Sequence, residues 1–159
     1  MTAIDQLVER AARLGSFRIA GPPKLRLAIV TCMDSRIDPM QIFGLERGDA
    51  HVLRNAGGVV TDDVLRSLIL SQRFLGTQEV MLIHHTRCGA HKLPEEKVKA
   101  ELQRETGTPL PFSLEGFDDL DASVRKSIQR VRTSPFLQHR DAVRGFVLDI
   151  NIGSLREIR

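Results

Sequence analysis

The hydrophobic positions along the chain form two kinds of pattern, helical stripes and short continuous runs. The first stripe recurs with a spacing of three or four residues and comprises Ile4, Leu7, Val8, Ala11 and Leu14. This spacing predicts an amphipathic helix over about residues 3–15, with Gly15 as its stop. The apolar face of such a helix packs either on the chain's own core or on a partner subunit.

Four continuous apolar runs predict buried strands, because each has the length of a strand and is bounded by turn-forming residues. They cover residues 25–31, 51–54, 79–84 and 143–150. Cys32 directly follows the first run, and the third run leads into a loop with His85 and Cys88. The sequence therefore places its cysteines at the carboxyl ends of two strands.

Helical patterns separate these runs. Asp38 and Thr61 are predicted N-caps, the first of a short helix that begins at Pro39 and the second of a longer one that ends before Gly76. Further helices are predicted over 94–105 and in the second half of 114–131. Alternating strands and helices favour one α/β domain across residues 1–159, with a mainly parallel central sheet flanked by helices. Ligands of such sheets bind beyond the carboxyl ends of the strands.

Composition excludes several classes of function. The 23 basic and 20 acidic residues leave a net charge of only +3, and the chain has no Trp or Tyr. Basic residues interspersed with acids, without aromatics for stacking, argue against nucleic-acid binding. No run approaches the roughly 18 apolar residues of a membrane span, and the N-terminus lacks the pattern of a signal peptide. We expect a cytoplasmic protein with no membrane contact.

Cys32, His85 and Cys88 are candidate zinc ligands. In a reducing compartment two cysteines indicate a metal or catalytic site rather than a disulfide, and thiolates with an imidazole suit tetrahedral zinc. Taken singly, each residue is better explained by a buried core position. Together they favour a metal site, and three protein ligands leave a fourth position open for catalysis.

Asp34 and Arg36 lie close to Cys32 in sequence. In a locally extended segment they fall on the same side, so that the guanidinium can hold the carboxylate in a bidentate pair. The alternative is an ordinary surface ion pair of small energetic value. Their proximity to Cys32 favours the functional interpretation.

The segments CMDSR at 32–36, RNAGG at 54–58 and HTRCG at 85–89 resemble the β-class carbonic anhydrases, and the length resembles the short members of that family. The resemblance implies that Cys32, His85 and Cys88 bind Zn²⁺ and that Asp34 and Arg36 form a catalytic dyad. It also implies a homodimer or higher homo-oligomer, in which the N-terminal helix packs on a neighbouring subunit.

The activity implied by this resemblance is the reversible hydration of carbon dioxide to bicarbonate and a proton by zinc-activated water. Asp34 accepts a hydrogen bond from that water, or becomes a fourth ligand in a closed, inactive state. Two alternatives use the same residues: hydrolysis of carbonyl sulfide or carbon disulfide, and a non-catalytic zinc-stabilised scaffold or sensor. Without Tyr or Trp, the bicarbonate regulation of longer members does not carry over.

Overall fold

A computed structural model of the chain describes residues 2–15 and 19–159. Its five strands are β1 (Leu27–Cys32), β2 (Ala50–Asn55), β3 (Glu79–His85), β4 (Val143–Asp149) and β5 (Ser154–Ile158). They form one sheet in the order β2-β1-β3-β4-β5, with β5 antiparallel to β4 and every other neighbouring pair parallel. The predicted α/β class with a mainly parallel sheet is confirmed.

The helices are α1 (Ala3–Ala11), α2 (Pro39–Ile42), α3 (Asp62–Leu75), α4 (Glu95–Thr106) and α5 (Leu120–Thr133). The predicted caps are present: Asp38 accepts a hydrogen bond from the Met40 amide at 3.0 Å, and Thr61 accepts one from the Val64 amide at 3.3 Å. Across the described ranges, every helix is too short or too polar to traverse a lipid bilayer.

The prediction differs from the structure at four places. α1 ends at Ala11 rather than near residue 15. Cys32 and His85 are the last residues of β1 and β3 rather than the first residues of the loops that follow. Strand β5 was not predicted, because Leu155 and Ile158 are its only apolar residues and their spacing is not that of a strand face.

Apolar side chains cover both faces of the sheet. On one face, Val64 and Leu68 of α3 and Val124 and Val131 of α5 pack against the strands. The other face carries a smaller cluster of Ile29, Ile37, Ile83 and Leu148. A parallel sheet buried on both faces leaves the ends of its strands as the place for polar chemistry.

A tight turn at Ala56–Gly58 locks the carboxyl ends of β1 and β3 together. Gly58 has a φ of +67°, and a Cβ added to it would lie 2.8 Å from the Cys32 nitrogen and 2.9 Å from the Ile83 carbonyl oxygen. Both obstacles are backbone atoms of strands in the sheet, which cannot move aside independently. Gly58 is therefore required for close approach as well as for its left-handed conformation.

We expect Gly58→Ala to lower the free energy of unfolding by about 3 kcal/mol. This is the sum of the cost of alanine in a left-handed conformation and the cost of overpacking against the strand backbones. Urea titration followed by circular dichroism measures this change. Gly15→Ala is the control, since a Cβ there meets nothing within 4 Å, and it should change stability by less than about 0.5 kcal/mol. Equal stability of the two variants would contradict the packing argument.

Candidate metal centre

The parallel pairing of β1 and β3 brings the three predicted ligands together. Thr31 is the register partner of Ile83, so the two strands reach the same edge of the sheet at Cys32 and His85. The loop after β3 then returns Cys88 to this edge. One donor atom from each of the three residues lies within 4.8 Å of the other two.

The spacing of the two sulfur atoms fits a shared metal ion. Cys32 Sγ and Cys88 Sγ are 3.8 Å apart, and both residues are buried. Two thiolates bound about 2.3 Å from one tetrahedral ion are separated by about 3.8 Å. Burial raises the pKa of the Cys88 thiol, so a metal ion that binds there must displace a proton.

His85 presents a free nitrogen to this cluster. Its Nδ1 donates a hydrogen bond to the Thr86 carbonyl oxygen at 2.8 Å, which fixes the tautomer and leaves the lone pair on Nε2. Nε2 is buried and has no hydrogen-bond partner among the described residues. Burial also lowers the pKa of His85, which favours the neutral form that binds metals. The residues present therefore fit a metal ion.

Asp34 and Arg36 form the predicted bidentate pair beside the cluster. Asp34 Oδ1 accepts from Arg36 Nε at 2.9 Å, and Oδ2 accepts from Nη2 at 2.6 Å. These hydrogen bonds hold the pKa of Asp34 far below its ordinary value, so the carboxylate is charged at neutral pH. Asp34 Oδ2 also lies 3.9 Å from His85 Nε2, at the edge of the candidate site.

The backbone that carries this pair is a turn, and the predicted extended segment was wrong. Asp34 Oδ1 accepts a hydrogen bond from the Arg36 amide at 2.9 Å, which closes a turn of the kind that Asp side chains favour. Arg36 Nη2 also donates to the Arg87 carbonyl at 3.0 Å. Arg87 adopts a φ of +57°. The guanidinium thus joins the Asp34 carboxylate to the loop that carries Cys88.

Arg54 has a role that the sequence did not reveal. Its guanidinium donates to two backbone carbonyls, to Cys32 at 3.0 Å and to Asp34 at 2.7 Å. A guanidinium with its rigid fork of donors can hold both peptide groups at once. Arg54 therefore fixes the backbone between a candidate ligand and the candidate dyad.

The two histidines that flank the loop are not placed for proton transfer. His84 is fully buried, and burial lowers its pKa to about 4, so it stays neutral at physiological pH. His91 is exposed, and its Nε2 donates to the Asp118 carbonyl at 2.9 Å. His84 is thus a buried strand histidine and His91 a surface histidine.

Phe117 is the apolar neighbour of the centre that sequence reasoning missed. Its side chain packs on the small cluster formed by Cys32, Cys88 and Ala90. Phe117 lies far from these residues in sequence, in a turn-rich segment with no periodic pattern. No local signal in the sequence identifies such a contact.

Comparison with known proteins agrees with this geometry. The carbonic anhydrase family profile matches residues 27–108, which include every candidate site residue. Beta-carbonic anhydrase 1 of Mycobacterium tuberculosis is 46% identical over 137 residues, covering 86% of this chain and 84% of the relative. A carbon disulfide hydrolase of Acidithiobacillus thiooxidans is 32% identical over 155 residues, covering 85% and 78%.

Solved structures share the fold over nearly the whole chain. A carbonic anhydrase from Streptococcus mutans superposes with a TM-score of 0.91 at 38% identity, covering 100% of this chain and 99% of that one. The apo form of a carbon disulfide hydrolase gives a TM-score of 0.75 at 27% identity, covering 98% and 90%. On sequence and fold together, the chain belongs to the β-carbonic anhydrase family.

Proposed function

We propose that this protein is a zinc enzyme that catalyses the reversible hydration of carbon dioxide to bicarbonate and a proton. The observation that carries the proposal is the unpartnered His85 Nε2, which faces two buried thiols beside a charged carboxylate. Buried polar atoms are almost always hydrogen-bonded, and such an exception calls for an unseen partner. A zinc ion held by Cys32, His85 and Cys88 is that partner.

The donor set favours zinc over other metals. Two thiolates and one imidazole suit zinc, whereas magnesium and calcium prefer oxygen ligands. Three protein ligands are the number typical of catalytic zinc sites. Zinc bound there would supply the chemistry of the reaction by lowering the pKa of a water toward about 7.

Asp34 is the proposed acceptor and orienting group for the attacking water. Two thiolates offset the charge of zinc, so water in this site needs more help to ionise than water beside three neutral imidazoles. The low pKa of Asp34 keeps its carboxylate charged, and a charged carboxylate accepts a hydrogen bond that directs the water's lone pair toward the carbon. Arg36 holds the carboxylate in place through two side-chain hydrogen bonds.

Arg36 also decides between an open and a closed site. Asp34 Oδ2 is 3.9 Å from the nitrogen that would bind zinc, so a small rotation could bring the carboxylate to the fourth metal position. The bidentate pair opposes that rotation. We propose that the site is open while the pair is intact and closed when the pair is lost.

Hydrolysis of carbon disulfide or carbonyl sulfide is a second candidate activity, because one relative of this chain is a carbon disulfide hydrolase. Carbon disulfide hydrolases are among the relatives with more than 30% identity over most of the chain. Carbonyl sulfide and carbon disulfide present the same linear, electrophilic carbon as carbon dioxide. The candidate ligands and dyad suit all three substrates, so selectivity must come from the walls of the site.

We further propose that the protein is a cytoplasmic homodimer or higher oligomer. Both thiols of the candidate centre are free, which fits a reducing compartment. Helix α1 buries none of its residues: Ile4 is 72% exposed, Leu7 60% and Val8 63%. Strand β2 also lies at an edge of the sheet. A helix with an exposed apolar face, such as α1, gains stability by packing on a second copy of the chain.

Replacement of Arg36 by Ala tests the proposed dyad. We expect this variant to retain one zinc per chain, because Arg36 is not a ligand, while kcat/KM for carbon dioxide hydration falls about a hundredfold. Stopped-flow hydration assays and metal analysis measure the two quantities. Arg66→Ala is the control, since it removes an Arg–Asp pair from the surface of α3 at Asp63 and should leave both unchanged. Full activity in zinc-loaded Arg36→Ala would contradict the dyad.

Replacement of Leu7 by Glu tests the proposed assembly. A charge in the middle of the apolar face of α1 should shift the protein to smaller species in sedimentation velocity experiments at micromolar concentration. Gln6→Glu adds a charge to the opposite face of the same helix and should leave the assembly unchanged. A wild-type monomer, or an assembly that Leu7→Glu does not weaken, would contradict the proposal.

A further inference from the structure

Phe117 is held rigidly beside the candidate metal centre by its backbone. The Phe117 amide donates to the Ala90 carbonyl at 3.1 Å, and the Phe117 carbonyl accepts from the Lys92 amide at 2.7 Å. Both contacts are to the segment that follows Cys88. The ring of Phe117 is therefore fixed relative to the sulfur ligands.

Glu95 anchors the segment that leads to Phe117. Its carboxylate accepts hydrogen bonds from the Leu114 amide at 2.9 Å, the Gly116 amide at 3.3 Å and the Ser113 hydroxyl at 3.0 Å. Together with Lys99, these donors lower the pKa of Glu95 to about 2. The carboxylate is charged at neutral pH, so the anchor persists under physiological conditions.

The ring is also packed between imidazoles. The centroid of the Phe117 ring lies 5.9 Å from that of His84 and 5.8 Å from that of His91, the second in a stacked orientation. His84 is fully buried in β3 and cannot withdraw. With neighbours on these sides and a fixed backbone, the ring has little freedom to swing away from the sulfur cluster.

A cavity of about 350 Å³ also borders Phe117. Its lining includes small and apolar residues such as Val59, Val60 and Ala122, and charged residues such as Lys126 and Arg130. Phe117 lines this cavity and also packs on the cluster that contains Cys32 and Cys88. Removal of the ring would therefore join the cavity to the surroundings of the metal centre.

We propose that Phe117 is the specificity-determining residue of the site, and that its ring restricts turnover to molecules of the size of carbon dioxide. This inference rests on the proposed function. Carbon disulfide is longer and thicker than carbon dioxide, because sulfur has a larger radius than oxygen and C–S bonds are longer than C–O bonds. The Phe117 ring, fixed against the cluster of Cys32, Cys88 and Ala90, would narrow the space beside these residues and so favour the smaller molecule over the larger one.

The disfavoured reaction is a hydrolysis and needs no other reactant. A water oxygen forms a bond to the carbon of carbon disulfide, one C–S bond breaks, and that sulfur leaves with two protons as hydrogen sulfide. A second water repeats the exchange on carbonyl sulfide. One carbon disulfide and two waters thus give one carbon dioxide and two hydrogen sulfides, with no change in oxidation state.

Phe117→Ala tests the inference. Both substrates are assayed on one zinc-loaded preparation. We expect kcat/KM for carbon disulfide, divided by kcat/KM for carbon dioxide, to rise about tenfold or more over wild type. A change of a few carbon atoms in an apolar wall changes substrate discrimination by at least this factor. Hydrogen sulfide release and stopped-flow hydration measure the two rates. Phe112→Ala is the matched control, since Phe112 is 61% exposed in the same connecting segment, and its ratio should equal that of wild type.

Phe117→Leu keeps the inference testable if the alanine variant folds poorly, and it should give a smaller rise of the same sign. Crystals of the variants under xenon pressure supply a readout independent of turnover. Xenon should occupy the site of the missing ring in Phe117→Ala, in continuity with the cavity, and should be absent there in wild type.

Two results overturn the inference, and they differ from failure of the proposed function. The role of Phe117 is rejected, and the proposed function is not, if a folded, zinc-loaded Phe117→Ala variant has an unchanged substrate ratio while wild type hydrates carbon dioxide. A ratio that rises equally in Phe112→Ala also rejects this role. If zinc-loaded wild type hydrates no carbon dioxide, the proposed function is wrong and the inference fails with it.

Discussion

The site depends above all on the in-register parallel pairing of β1 with β3. This pairing makes Cys32 and His85 end their strands at one edge, so that a short loop suffices to bring Cys88 within 3.8 Å of Cys32. Gly58 packs against the backbone of both strand ends and leaves no space for a side chain. A shift of one residue in register would turn a ligand to the opposite face of the sheet. The buried clusters on both faces therefore maintain the chemistry as well as the fold.

Electrostatics then determine what the three ligands can do. Burial raises the pKa of Cys88 and lowers the pKa of His85, so both side chains favour their neutral forms. Asp34 remains charged because Arg36 donates hydrogen bonds to its carboxylate. Arg36 spans the Asp34 carboxylate and the Arg87 carbonyl, so it couples the position of the carboxylate to the loop that carries Cys88. We propose that the same contacts also keep Asp34 from the fourth position of a bound metal. Under this proposal, activation and restraint arise from one pair.

Features encoded in adjacent residues could be predicted from the sequence, and features made by distant residues could not. The caps at Asp38 and Thr61 depend on hydrogen bonds within a few residues, and the strand ends that carry the candidate ligands follow from continuous apolar runs. Strand β5 has too few apolar residues to show a period, and it is held by pairing with β4. Arg54 and Phe117 both contact segments that are remote in sequence. Arg54 donates to backbone carbonyls, and no pattern of side chains reveals such contacts. The centre was therefore predictable, whereas its supports and walls required the structure.

The central claim is that Cys32, His85 and Cys88 hold one zinc ion that is needed for turnover. Titration of metal-free protein with zinc, with carbon dioxide hydration recorded by stopped flow at each addition, tests it most directly. We expect activity to rise linearly and to reach its plateau at one zinc per chain. His85→Ala should show neither tight zinc binding nor activity, while His139→Ala, which replaces an exposed histidine outside the cluster, should behave as wild type. Activity that is independent of added zinc, or zinc bound at one per chain without hydration at any pH, would contradict it.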